Sequence, residues 1–266
     1  MKKKIIAISL VASLAVMAIA GATLAYFTSE DSAKNVMTMG SLEIVQNEQQ
    51  RVINEDGTFG TELEDFENNK LMIPAVYAGK VVNGLASPET GYDGTVNVNG
   101  KDYKIFGEGV QNVVDKIVTV TNEGTIPAYV RTLFAFEDTG DMSAKVHYMF
   151  HDANGKGELI YFPSNGNDYL QFTTEDGTVY TVGYYVYDAA IEAGATSEPS
   201  LMQVFFDKSA TNEDIAKAQG TYEILVLSQA VQAQGFADAD TALNDAFGEI
   251  TYDADDLVAD WFADIE

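Results

Sequence analysis

From residue 41 onward, apolar and polar residues alternate in short runs broken by Gly, Asn and Asp. Ser41-Leu42-Glu43-Ile44-Val45 opens the series. Asp115 to Thr121 places Ile117 and Thr119 on one face and Val118 and Val120 on the other, then stops at the turn Asn122-Glu123-Gly124. A period of two is the pattern of a β-strand, whose successive side chains point to opposite faces. Tyr129 to Phe136 follows, then Val146 to Phe150, and the loop Asp152 to Gly157 leads into Leu159 to Phe162. Gln171 to Thr174 and Val179 to Tyr187 form two strands joined through Asp176-Gly177, a hairpin signal. Leu201 to Phe206 and Tyr222 to Ala233 complete the set.

Roughly nine or ten strands with frequent turns predict an all-β protein, a jelly roll or β-sandwich. Helices are few and short. Asn212 to Gln219 starts on an Asn cap with acids in its first turn. Ala237 to Phe247 gathers Ala239, Ala242, Leu243 and Phe247 on one face. Ala254 to Ile265 carries Leu257, Val258, Trp261, Phe262 and Ile265 as a stripe that packs on the domain. Residues 46–112, rich in Asn, Glu, Gly and Asp with apolar islands at Leu71 to Tyr77 and Tyr103 to Phe106, read as an elaborated region of one domain spanning 40–266.

The N-terminus has a different pattern. Lys2, Lys3 and Lys4 precede the apolar run Ile5 to Ala20, and small residues lead to Ala25. Charge, apolar run and small residues in that order form a secretory signal peptide, here residues 1–25. The run of about 16 residues is shorter than a membrane-spanning helix requires, which favours a cleaved signal over the alternative of an uncleaved N-terminal anchor. Cleavage fits after Ala22 or after Ala25. Of 15 Lys and Arg, three lie in the signal, leaving 12 against 41 acids and a formal charge of −29 on the mature chain. Such a surface repels nucleic acid and anionic lipid, so neither is expected as a partner, and no membrane association is expected after cleavage. The chain has no cysteine and must hold together through its core.

Three segments carry a resemblance. The first is Gly21-Ala22-Thr23-Leu24-Ala25-Tyr26-Phe27-Thr28-Ser29-Glu30-Asp31 with Asn35 and Met39-Gly40-Ser41-Leu42-Glu43-Ile44. The second is Val120-Thr121-Asn122-Glu123-Gly124-Thr125-Ile126-Pro127-Ala128-Tyr129-Val130-Arg131, and the third runs from Ile224 to Phe236. Together they resemble the TasA/camelysin family of exported Gram-positive proteins. That resemblance implies a jelly roll, cleavage between Ala25 and Tyr26 by a dedicated signal peptidase, and assembly into extracellular biofilm-matrix or cell-surface fibres. Residues 26–39 are then a donor segment whose apolar residues Tyr26, Phe27, Val36, Met37 and Met39 are too sparse to fold alone. Laid on an open sheet edge of the next subunit, they complete its ladder, giving head-to-tail self-association. Pairing of the segment with its own domain is the simpler alternative.

Camelysin-type relatives bring a metalloprotease reading with them. The two histidines, in His147-Tyr148-Met149-Phe150-His151, lack the Glu of H-E-x-x-H, and on a strand they stand about 13 Å apart. No zinc site is expected there. Neither a nucleophile elbow nor a cysteine is present, so no catalytic residue is assigned. Asp152 to Glu158 echoes a calcium loop, but Lys156 stands where an acid is wanted, so a plain turn is expected and no cofactor is assigned. Asn54 to Gly57 and Asp253 to Asp256 read as solvated turns. The alternative to a fibre subunit is a monomeric surface adhesin or binding domain of the same fold, which a pocket lined by several aromatics would favour.

Overall fold

Two adjoining apolar strands, β7 (Val114–Asn122) and β8 (Ala128–Glu137), form the middle of the protein but belong to different sheets. This computed structural model describes residues 40–55, 58–82, 85–88, 91–138, 145–149, 160–217 and 222–263. In β7, Ile117 and Thr119 face one way and Val118 and Val120 the other, and all four are buried. In β8, Val130, Thr132, Phe134 and Phe136 alternate with Arg131, Leu133 and Ala135, again all buried. Both sheets are therefore covered on both faces, which is why β8 reads as a nearly continuous apolar run and why β7 buries Asp115, Lys116, Thr119 and Asn122 beside its apolar residues.

The first sheet also contains β1 (Ile44–Ile53), β2 (Phe59–Asp65), β9 (Val146–Met149) and β14 (Leu201–Phe206), in the order β2-β1-β7-β14-β9. The second combines β8 with β12 (Gln171–Thr173), β13 (Val179–Val186) and β15 (Ile224–Gln232), in the order β12-β13-β8-β15. Every pairing in both is antiparallel. From β7 through β8, β9, β13 and β14 to β15, the chain crosses between the sheets at each step, as in jelly rolls. The expected all-β sandwich with short C-terminal helices is the observed fold.

Three apolar cores stack through the molecule. The central one lies between the sheets and includes Val118, Val120, Phe134, Phe136, Leu201, Phe206 and Val226. The second lies outside the first sheet, where Ile117, Met202 and Phe205 meet Ala75, Tyr77, Phe106 and the hairpin of β5 (Gly94–Val98) and β6 (Lys101–Ile105). Two smaller hairpins complete the strands: β3 (Gly79–Val82) with β4 (Leu85–Pro88), and β10 (Ser164–Asn165) with β11 (Asp168–Tyr169). The third core lies outside the second sheet. There Leu133, Ala135 and Val182 meet Leu170, Ile250 and the helix α3 (Asp255–Phe262). The stripe expected on α3 does pack on the body, through Val258 and Phe262, with Phe262 stacked on Phe172 at 5.4 Å.

Several expectations needed correction. The first strand begins at Ile44, because Ser41–Glu43 are held against the β7–β8 turn instead. Residues 46–112 carry most of β1, a strand of the main sheet, as well as the cover of that sheet. Of Leu159 to Phe162, the described part makes only an isolated bridge, Tyr161 to Tyr184. The first helix, α1 (Asn212–Lys217), is capped by Thr211 rather than Asn212: Thr211 Oγ1 accepts Asp214 N–H at 3.3 Å and Asp214 Oδ2 accepts Thr211 N–H at 2.8 Å. Helix α2 (Ala239–Phe247) starts two residues late, on an Asp238 cap. The Asp176-Gly177 hairpin is observed between β12 and β13, with Gly177 at φ 93°, a conformation glycine alone adopts freely.

Candidate functional site

The cleavage residues Ala25 and Tyr26 and the donor residues Tyr26, Phe27, Val36, Met37 and Met39 lie outside the described residues. The description begins at Gly40, and its neighbours fix where the chain enters. Ser41 N–H donates to Thr125 Oγ1 at 2.8 Å, Thr125 N–H returns to Ser41 O at 2.8 Å, and Glu43 O accepts from Glu123 and Gly124. A side chain at Gly124 would lie 2.4 Å from Ser41 O, so only glycine lets the two segments approach. Residues 40–43 thus grip the turn from which β8 departs. Because Gln232 pairs with Ala128, this is also the end at which β15 finishes.

β15 is an edge, paired only with β8 among the described strands. Glu137 N–H to Glu223 O and Ala233 N–H to Pro127 O show which residues bond inward. Antiparallel ladders alternate, so Ile224, Val226, Ser228, Ala230 and Gln232 direct their main-chain groups outward. One of these groups is occupied: Val226 O accepts Gln46 Nε2 at 3.2 Å, while Gln46 Oε1 accepts Ser228 Oγ at 2.8 Å. The strand's sequence, ILVLSQAVQ, has no charge and no proline. The other long edge, β2, carries Glu62, Glu64 and Asp65, the kind of charge that blunts an edge. β9 and β12 are short, with four and three residues.

His147 stands on β9, as expected, and its imidazole is committed. Its Nε2 lies 2.8 Å from Oδ2 of the buried Asp207, and its ring stacks on Phe205 at 4.9 Å. Asp207 also accepts Ser209 N–H at 2.7 Å and Tyr77 O–H at 3.4 Å. Burial, and next Asp207, push the Tyr77 phenol up to about 12. His151 and the loop Asp152 to Glu158 lie outside the described residues. Among the described residues no three His, Cys, Asp or Glu gather to hold a metal ion. Asn54 closes its turn through Thr58, and Asp255 and Asp256 begin α3.

A cleft absent from the sequence reading opens between the β5–β6 hairpin tip and residues 187–198, with a volume of about 490 Å³. Val98, Tyr103, Tyr187 and Ile191 line it and are buried. Lys101 sits 5.0 Å above the Tyr103 ring and 3.3 Å from Glu198, which also accepts Tyr185 O–H at 3.3 Å. Burial draws the Lys101 ammonium down, but Tyr103 and Glu198 outweigh it and hold it above its ordinary value. Burial raises Tyr103. The buried Tyr187 hydroxyl has no hydrogen-bond partner within bonding geometry among the described residues. One wall is fastened by the buried Asn122, whose N–H donates to Ala195 O at 2.9 Å and whose O accepts Gly194 N–H at 2.7 Å. Its Nδ2 donates to Ile191 O at 2.9 Å and to Ile126 O at 2.8 Å.

At the opposite end of the sandwich, Tyr180, Glu137 and Glu223 form a row across the second sheet. Tyr180 O–H donates to Glu223 Oε2 at 2.7 Å, and Glu137 Oε2 accepts Glu223 N–H at 2.8 Å. Burial, with Glu223 and Asp176 nearby, raises Glu137 above the usual carboxylate range despite that hydrogen bond.

No protein-family model and no curated protein matches the chain. Among the described residues, fold and site thus define an all-β sandwich with an uncharged nine-residue edge at β15 and a cleft partly lined by Tyr103 and Tyr187.

Proposed function

We propose that the chain is an exported structural subunit that joins further copies by strand addition, forming extracellular fibres of a biofilm matrix or cell surface. One observation carries this reading: β15 is a nine-residue edge without charge or proline, ending beside the point where the N-terminal segment enters. In this reading a dedicated signal peptidase cuts before Tyr26, and residues 26–39 of one copy lie along β15 of the next. Donor and acceptor are different surfaces, so the contact repeats head to tail. The reading assigns no catalytic step and no cofactor. No helix among the described residues is long and apolar enough to cross a membrane.

Negative-stain electron microscopy tests it, comparing chains that begin at Tyr26 and at Gly40 with an Ala230→Pro variant of the longer one. Ala230 turns its N–H outward, so proline there leaves the β8 ladder intact while blocking an added strand. Filaments from the Tyr26 chain alone are expected. Filaments from all three would overturn the assignment of donor and edge, and filaments from none would overturn the fibre.

A second reading, a monomeric surface binding domain, is favoured by the cleft beside Tyr103, Tyr185 and Tyr187. A camelysin-like protease draws no such support, since His147 is engaged by Asp207.

A further inference from the structure

We infer that the cleft between the β5–β6 tip and residues 187–198 is a binding site for an apolar group bearing an ammonium ion. It is an open cleft of about 490 Å³, a volume that admits a small molecule, with Val98, Ile191 and the rings of Tyr103 and Tyr187 as its apolar floor. Its shape is preset. Asn122 holds the wall at Ile191, Gly194 and Ala195 through backbone and side chain together, so little ordering is left to oppose binding.

Charge selects the ligand. Lys101 is paired with Glu198 at 3.3 Å and lies over Tyr103, so these two charges offset each other within the cleft. Asp188 and Glu192 also line the cleft, are exposed, and have carboxylates with no hydrogen bond among the described residues. The uncompensated charge at the rim is therefore negative. A ring or alkyl body on the floor with an ammonium at the rim satisfies both. The same chemistry is met in a free amphipathic amine and in a lysine beside an apolar residue of a peptide.

The test is amide NMR on the Ala230→Pro variant of the chain beginning at Tyr26, which stays unassembled if β15 is the joining edge, titrated with phenethylamine, with 3-phenylpropionate, and with a blocked Lys-Phe dipeptide. Phenethylamine is expected to shift the resonances of 188–198, with phenylpropionate at least about tenfold weaker. Asp188→Asn with Glu192→Gln should weaken phenethylamine about fivefold or more and tighten phenylpropionate, narrowing the gap between the two. Tighter binding of the dipeptide than of the amine assigns the site to peptides, and the reverse assigns it to free amines. Absence of shifts at 188–198, or equal affinity for the amine and the carboxylate, overturns the inference. Because these shifts arise in the cleft and filaments depend on β15, either result leaves the fibre reading to its own experiment.

Discussion

The two sheets are covered by lids of opposite construction. Over the first sheet, the β5–β6 lid is tied down by a buried polar network. Arg51 clamps Asp115 with Nε at 2.5 Å and Nη2 at 2.9 Å, and Gln203 bridges Asp115 at 2.8 Å to both main-chain groups of Phe106 at 2.8 and 3.0 Å. Over the second sheet, the lid is α2 and α3, attached by apolar contact and by one buried cation. Arg131 reaches Gln229 at 2.7 Å and Asn244 and Gly248 at 3.2 Å, neutral acceptors all, and lies 5.1 Å from the Trp261 ring. Burial pushes its guanidinium down to about 10. A polar network fixes one arrangement and penalises any other, whereas an apolar helix face tolerates adjustment. The first lid is thus the brittle one.

The sharpest way to break that contrast is Asp115→Ala. It strands a buried Arg51 and half of Gln203, and should cost about 3–5 kcal/mol in denaturant unfolding. Phe262→Ala, in the helical lid, removes the ring stacked on Phe172 and should cost about 3 kcal/mol, less where α3 settles into the space. If Phe262→Ala proves the costlier, the lids have been ranked wrongly. The smallest effect comes from Glu137, beside neither lid's anchor. Its carboxyl titrates higher when folded, so its contribution is full below the unfolded value near 4.5 and fades as pH rises through the folded one. The difference in thermal stability between wild type and Glu137→Gln should therefore shift in favour of wild type as pH falls toward the unfolded value near 4.5. Parallel curves would remove Glu137 from the account.

The same contrast governs what could be read in advance. The helical lid was legible because Leu257, Val258, Trp261 and Phe262 recur at helical spacing. β7 was legible by its period of two and the turn that ends it, and β8 and β14 because both their faces are largely apolar. The polar network was not, since its members are 64 to 97 residues apart and each alone resembles a surface residue. Beyond Val45, β1 was hidden for a related reason: Gln46 and Glu48 meet Ser228 and Lys116 rather than apolar side chains, so no hydrophobic alternation marks them. The cleft depends on Lys101 and Glu198 meeting across the fold, and local sequence contains no signal of it.

The grip of residues 40–43 on the β7–β8 turn has a mechanical meaning. A tug on the N-terminal segment is delivered first to Ser41 and Glu43, then along the axis of β1. β1 is zipped to β7 from Ile44–Asn122 to Gln49–Ile117, so the pull loads those rungs in shear, all together, instead of peeling them one by one. Beneath the grip, Asn122 binds the same turn to the strap at Ile191, spreading the load into the body of the sandwich. Tension that enters at Gly40 along the axis of β1 thus loads the β1–β7 ladder in shear.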